Sequence, residues 1–522
     1  MSILLLLLLS VCLMSLPFLV PGTGYLALVG LVPLLFAERL AGEAGIRRFF
    51  WWHYLCFVAW NFATTFWVCN ATVGGGIFAS LANALQMSVV FELFRWSRKH
   101  LRGSLPYIFL AFAWIAWERY YLAWAQISWP WLVLGNAFAG TVSWIQWYEF
   151  TGTLGGSLWI WASNLAVFGI LLSIRNGDWK RFNAKARTAA ILGTAALFLA
   201  PPTISLFLRP EEADGTLDVF IAQPNIDVYG KHGGMTQQEQ TDRILSQFSG
   251  APADSPVLLI GPETFTNDVI TNDPSFSVTV DRFYKFLSGR PQSGMLIGAS
   301  SYEFIKSAVK PSHTARQRGK DTWVESHNSA LMLSAGDDSP QMRHKDKLVV
   351  GVEMTPYPAF FCPIDDKLGG VMGRCIGTGH ASNLDFHGIP IGCAICYESV
   401  YGEYCTEYVR KGAKLLTVIT NDAWWGDTPG YRQHLSYACL RAIETRRWIA
   451  RCGNTGISAI IDPNGRILNR SSWWQQETLE GQVGLSDEQT FYVRHGDFIG
   501  RISVLMFLLL LCGTIVKRLT GK

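Results

Sequence analysis

The chain has 522 residues, 49% of them hydrophobic and 16% charged, with 21 Trp, 31 Phe and a formal net charge of +4. A mean hydropathy of +0.19 excludes an ordinary soluble protein, and a small basic surplus with no basic stripe argues against nucleic-acid binding. The apolarity is unevenly placed and predicts a membrane block over 1–210, a globular domain over 211–499, and a closing anchor with its tail over 500–522.

A helix needs roughly 20 apolar residues to cross about 30 Å of hydrocarbon. The stretches 2–20, 24–40, 50–69, 75–94, 105–124, 157–174, 188–208 and 502–516 read as eight spans. Residues 1–20 lack the basic start of a cleaved signal peptide and lead directly into further spans. The run 125–156, with Trp129, Trp131, Trp144 and Trp147, is uncharged up to Glu149 and reads as interfacial arms. Glu118 and Arg119, at the end of the fifth span, are expected to pair with each other or to meet a lipid headgroup.

With the N-terminus in the cytoplasm, the loops on that side carry Arg39, Arg47 and Arg48, then Arg95, Arg98, Lys99 and Arg102, then Arg175, Lys180, Arg181, Lys185 and Arg187. The tail adds Lys517, Arg518 and Lys522, whereas the opposite short loops carry no Lys or Arg. This is the positive-inside pattern, and seven spans before the globular domain place that domain outside the cytoplasm.

Within the domain, short β-type runs alternate with helical patterns, which predicts a mixed α/β fold. Strands are expected in "LDVFIAQPNI", "SPVLLIGPE", "GMLIGASSYE", "NSALMLSA", "IPIGCAICYE", "AKLLTVITND" and "GISAIIDPNGRI". Helices are expected over 236–249, 273–288, 399–412 and 430–448, and 305–325 reads as a loop or exposed hairpin.

Three of these segments deliver reactive side chains: Glu263 after "VLLIGP", Lys345 in "MRHKDKLVV" and Cys396 after "IGCAI". Taken singly, each has an ordinary structural explanation, because a Cys in an apolar strand packs, a Glu after a strand caps, and a loop Lys is solvated. Taken together they supply a nucleophile, a proton acceptor and a cation that stabilises thiolate and oxyanion. Cys393 sits mid-strand and faces opposite to Cys396, which stands where the strand turns and backbone N–H groups serve an oxyanion.

These motifs resemble the nitrilase superfamily, and more closely its membrane-embedded branch, the apolipoprotein N-acyltransferases. The likeness rests on "GPETF" around Glu263, "HKDKLVVGVEMTPY" around Lys345, "ICYES" around Cys396, and the stretch 420–467 beginning "TNDAWWGDTPGYRQHL". It implies an α/β nitrilase-like αββα sandwich domain inserted in an eight-helix transmembrane bundle. It also implies transfer of a fatty acyl chain from a phospholipid, through a Cys396 thioester, to the N-terminal amine of a diacylglyceryl-cysteine lipoprotein. In that scheme Glu263 is the general base, Lys345 and the N–H after Cys396 hold the oxyanion, Glu353 orients Lys345 or shares its charge, and Tyr397 and Glu398 support the nucleophile. Water in place of the amine would make a membrane-anchored amidase, which the three residues alone leave open. Where the family reads "LVPFGE" this chain has "LVVGVE", so the approach to Glu353 departs from the pattern.

The implied partners are a phospholipid donor, a diacylated lipoprotein N-terminus and the membrane, with no nucleic acid. No cofactor is implied, and the enzyme is expected to be a monomer in the bacterial inner membrane with its catalytic domain on the periplasmic side. Trp129, Trp131, Trp424 and Trp425 are expected at the substrate entrance or lid. Cys362 and Cys375, outside the cytoplasm, are expected to form a disulfide across a lid loop. No His or Cys spacing predicts a metal site.

Overall fold

The computed structural model describes residues 2–228 and 234–521, so Lys522 of the basic tail lies outside the described residues. The chain divides into two compact units: residues up to 125, 129–209 and from 495 onward form one, and residues 126–128 and 210–494 form the other.

Helices occupy all eight stretches read as spans. Five are long and apolar enough to cross a membrane: Gly24–Glu43, Val73–Ser97, Tyr148–Arg175, Ala184–Ser205 and Phe498–Thr520. Ile3–Leu19, Phe50–Thr65 and Leu105–Ala123 are helical as well. The second stretch is broken near Leu31, and a buried Asn164 repairs the break. Its amide oxygen accepts from Leu31 N at 2.7 Å and Val32 N at 3.1 Å, and its nitrogen donates to Ala27 O at 2.8 Å. In an apolar surround such orphan backbone groups need a protein partner, because there is no water to supply one.

Residues 130–144 form three short 3-10 turns whose side chains lie largely inside this unit. Trp131 is 1% exposed and packs edge-on against Trp67. Glu118 and Arg119 do not pair with each other. Glu118 accepts from Trp114 Nε1 and Leu134 N, while Arg119 lies 3.9 Å from Asp497 and over the Trp124 ring.

In the second unit two sheets stack. Among the described residues the first has eight strands, in the order Glu477–Leu485, Gly215–Gln223, Val257–Ile260, Gly294–Lys306, Thr322–Ser334 and Arg316–Gly319. Thr266–Ile270 pairs beside Gly294–Lys306, and Gln341–His344 beside Thr322–Ser334. The second sheet runs Ile467–Arg470, Ala459–Ile461, Ile449–Gly453, Leu415–Thr420, Ile389–Ile395 and Asn383–Phe386. Its three central strands are parallel and are joined by helices Gly402–Arg410 and Pro429–Thr445, as parallel pairing requires.

Strand alternation assigns the two faces. Leu258 and Ile260 join Val219, Ile221, Ile391, Cys393, Ile395 and Ile419 between the sheets. Val257 and Leu259 point the other way, to Phe248, Val280, Phe283 and Leu287 of helices Gln237–Phe248 and Val278–Ser288. The result is a four-layer αββα sandwich. The helix expected from 273 begins only at Val278, because Pro274–Phe276 forms a 3-10 turn and Ser277 supplies the cap, accepting from Val280 N at 3.1 Å. The helix expected from 399 begins at Gly402, after the short turn Cys396–Val400.

Candidate active site

Parallel strands deliver their C-terminal ends to one edge of a sheet, where ligands of such folds bind. Cys396 follows Ile389–Ile395 there, and Asn421 and Asp422 follow Leu415–Thr420. In the other sheet Glu263 follows Val257–Ile260. A side chain at Gly298 would lie 2.5 Å from Glu263 Cα, so only glycine lets the neighbouring strand approach that turn.

Cys396 is 9% exposed and has φ of 51°, a left-handed conformation that is strained for a residue with a Cβ. The turn is pinned from below by Glu398, whose carboxylate is fully buried. It accepts from Ile395 N at 2.8 Å, from Arg343 through two bonds of 2.9 and 2.7 Å, and from Asp346 N at 2.6 Å. Tyr404 OH donates to it as well, at 3.1 Å. Burial alone would raise the Glu398 carboxyl, but the Arg343 guanidinium and these N–H donors hold it below its usual range. One carboxylate thus ties the turn bearing Cys396 to the segment bearing Lys345.

Lys345, 1% exposed, lies between two carboxylates, 2.9 Å from Glu263 Oε1 and 2.8 Å from Glu353 Oε1. Burial would lower its ammonium, but Glu263 and Glu353 outweigh burial and hold it well above the usual lysine range. Asn328 Nδ2 donates to the same two oxygens, at 2.7 Å each. The outer oxygens take backbone donors, Asn421 N on Glu263 at 3.1 Å and Val349 N on Glu353 at 2.8 Å. The departure from the family pattern before Glu353 therefore leaves its carboxylate on Lys345.

The Cys396 thiol is pushed well above its usual range, first by burial and then by the Glu263 carboxylate, with Lys345 pulling the other way. A buried thiol beside a carboxylate and an ammonium is the set that nucleophilic acyl chemistry uses. Behind it lies a group that the sequence reading leaves without roles. His434, fully buried on helix Pro429–Thr445, has Nδ1 at 2.9 Å from Asp422 and Nε2 at 3.1 Å from the Cys396 carbonyl. Asp422 also accepts from Arg451 at 2.5 Å and Thr420 Oγ1 at 2.6 Å. Cys396, Asp422 and His434 bring donor atoms within 4.8 Å of one another, but Arg451 already pairs with Asp422, an arrangement suited to an ion pair rather than to a metal. The only sequence signal for this group is its place in the stretch beginning "TNDAWWGDTPGYRQHL".

The other predicted residues spread out. Tyr397 donates to Ser128 O at 3.2 Å and packs edge-on against Tyr401. Trp424 is 41% exposed and Trp425 lies edge-on to the His434 ring, both on the turn after Leu415–Thr420. Trp129 and Trp131 belong to the first unit, and Trp131 is sealed in its interior. Cys362 and Cys375 are not joined. Cys362 is buried in helix Pro358–Lys367, Cys375 lies in a segment bridged to Ser326 with its N–H on Glu353 O at 2.7 Å, and both thiols are free.

The family model described as carbon-nitrogen hydrolase matches residues 312–492, and that described as apolipoprotein N-acyltransferase N-terminal domain matches residues 10–166. Along most of its length the chain is similar to apolipoprotein N-acyltransferases. It is similar to the apolipoprotein N-acyltransferase of Chlorobaculum tepidum, with 28% identity over 501 residues that cover 91% of this chain and 89% of that one. It is equally similar to that of Geobacter metallireducens, with 28% identity over 514 residues that cover 94% and 91%. Among solved structures, Saccharomyces cerevisiae Nit3, a nitrilase-superfamily member, aligns with 15% identity and a TM-score of 0.37 over 55% of this chain and 96% of its own. The two family matches fall on both parts of the chain, the apolar helices and the α/β sandwich.

Proposed function

We propose that this protein moves a fatty acyl chain from a phospholipid to the N-terminal amine of a diacylglyceryl-cysteine lipoprotein, with Cys396 as the covalent carrier. The reading rests on one observation: a buried thiol on a strained turn, beside a carboxylate and an ammonium, on a chain whose N-terminal helices match the N-acyltransferase domain. Hydrolysis to a free acid, the amidase alternative, has no comparable support.

Glu263 takes the thiol proton as Cys396 attacks the ester carbonyl. The tetrahedral oxyanion is held by Lys345 and the N–H of Tyr397. Collapse returns the proton to the leaving alkoxide, releases lysophospholipid and leaves a thioester. The lipoprotein amine then attacks the thioester, gives its proton to Glu263 and regenerates the thiol. Glu353 and Asn328 keep Lys345 aimed, and Glu398 keeps the Cys396 turn in place.

In this reading eight helices span the inner membrane, the catalytic domain is inserted after the seventh, and it faces the periplasm. Ion pairs support the parity. Glu38 bonds Arg98, Glu92 bonds Arg95, and Glu43 bonds Arg175, which gathers at one end of the bundle the basic residues assigned to the cytoplasmic loops. Trp424 and Trp425 are assigned to a lid, and the enzyme acts as a monomer.

The test uses membranes, radiolabelled phospholipid and a synthetic diacylglyceryl-cysteine peptide with a free amine. N-acylated peptide is expected from the wild type, none from Cys396→Ala, and about 100- to 1000-fold less from Lys345→Met. Release of free fatty acid with no N-acyl peptide would make the protein a hydrolase instead.

A further inference from the structure

The carbonyl of Cys396 is held by two donors, Ser399 Oγ at 2.7 Å and His434 Nε2 at 3.1 Å. A carbonyl only accepts, so Nε2 carries hydrogen and shares it with Ser399 Oγ at 3.0 Å, while Nδ1 faces both Asp422 at 2.9 Å and the Arg451 guanidinium at 3.2 Å. His434 therefore meets the Cys396 carbonyl as an N–H donor, fully buried, with its other ring nitrogen held between Asp422 and Arg451. Asp422 fits this role: burial would raise its carboxyl, but His434 and Arg451 hold it below the usual range.

The held oxygen belongs to the peptide unit whose nitrogen is Tyr397 N. That unit is planar and trans, so fixing the direction of C=O fixes the N–H to point the opposite way. A donor on the oxygen also polarises the amide and strengthens its N–H as a donor. The His434 ring that reaches this oxygen is fixed by two further elements, the turn bearing Asp422 and the strand bearing Arg451. Ser399 and His434 fill the two lone pairs of this carbonyl and lie 3.0 Å from each other, so the oxygen has one fixed direction.

We infer that His434 is a positioning residue for acyl transfer, acting through the Cys396 carbonyl to aim and polarise the Tyr397 N–H that receives the oxyanion. The inference rests on the proposed function. It separates two properties of Cys396, because attack on a carbonyl needs the oxyanion donor, whereas alkylation by iodoacetamide forms none.

The experiment compares wild type, His434→Gln, which keeps a neutral N–H donor, and His434→Leu, which keeps none, in detergent-solubilised full-length protein. Thioester formation from labelled phospholipid and iodoacetamide alkylation of Cys396 are followed in parallel, with Ser399→Ala as a second variant. Acylation is expected to fall about 100-fold in His434→Leu and less in His434→Gln, through kcat with KM little changed, while alkylation stays within about threefold. Ser399→Ala, which leaves the histidine donor in place, is expected to lose less than His434→Gln. Equal losses of acylation and alkylation in both His434 variants, or acylation within about threefold of wild type in His434→Leu, would overturn the inference and leave the proposed function standing. A wild type that takes no acyl group from phospholipid yet is alkylated normally would overturn the proposed function, and the inference with it.

Discussion

Burial and the Glu263 carboxylate push the Cys396 thiol well above the usual cysteine range, and Lys345 offsets them only in part. At neutral pH the resting group is therefore a thiol beside a carboxylate, and in the proposed mechanism its proton moves to Glu263 as attack begins. Two predictions belong at this scale. Iodoacetamide alkylation of Cys396 is expected to keep rising with pH beyond the ordinary cysteine value of about 8.5, because burial and Glu263 hold the thiol above it; a plateau near that value would contradict it. Glu263→Gln is expected to slow thioester formation about 100- to 10,000-fold while the protein stays in the membrane, as read by acylation of membranes matched for protein content. Much of this was legible in the sequence, since Glu263, Lys345 and Cys396 sit in motifs at strand ends. Asn328, Arg343 and His434 were not, because each acquires its role from a partner on another element, as Asn328 does from Glu263 and Arg343 from Glu398.

Arg343 lies on strand Gln341–His344 and Glu398 on the turn after Ile389–Ile395, so their bidentate pair joins the two sheets under the site. Removing one partner of a buried pair strands the other charge. Arg343→Met is expected to destabilise the domain by about 3–5 kcal/mol, and the double variant with Glu398→Gln to recover part of the loss, measured by thermal unfolding in detergent. The next residue on that strand predicts a pH dependence. Burial, His327 and Arg343 lower His344 to about 4, and its ring stacks on His327 with centroids 4.1 Å apart. The folded state thus binds a proton at His344 more weakly than the unfolded chain does, at about 6.5. Its stabilisation is complete above that value and drains as pH falls from there to about 4. His344→Gln is expected to flatten unfolding temperature against pH in that window, and an unchanged slope would contradict the assignment. The core strands were readable from apolar runs, but Glu477–Leu485, which pairs along the whole of Gly215–Gln223, was missed because Gly481 and Gly484 interrupt its alternation. Gln341–His344 is four residues long and largely polar, too little for a periodic signal.

For the whole molecule, the two units are an apolar helical part and an α/β sandwich. Aromatic content proved an uninformative signal. A Trp at a membrane surface and a Trp inside a bundle look alike in sequence, and Trp131 is the second kind. Cysteine content misled in the same way, since compartment alone suggested a bridge between Cys362 and Cys375, whereas each is held by its own local packing. The proposed topology predicts that a phosphatase reporter active only outside the cytoplasm is active when fused after Arg494 and silent when fused after Arg181; the reverse pattern would place the catalytic domain in the cytoplasm. The most direct test of the account is mass spectrometry of the peptide containing Cys396 after full-length protein meets phospholipid without an acceptor. A fatty acyl mass on Cys396 that hydroxylamine removes, and that the diacylglyceryl peptide discharges as N-acyl product, is the predicted result. An unmodified Cys396 in protein that nonetheless N-acylates the peptide would contradict the account.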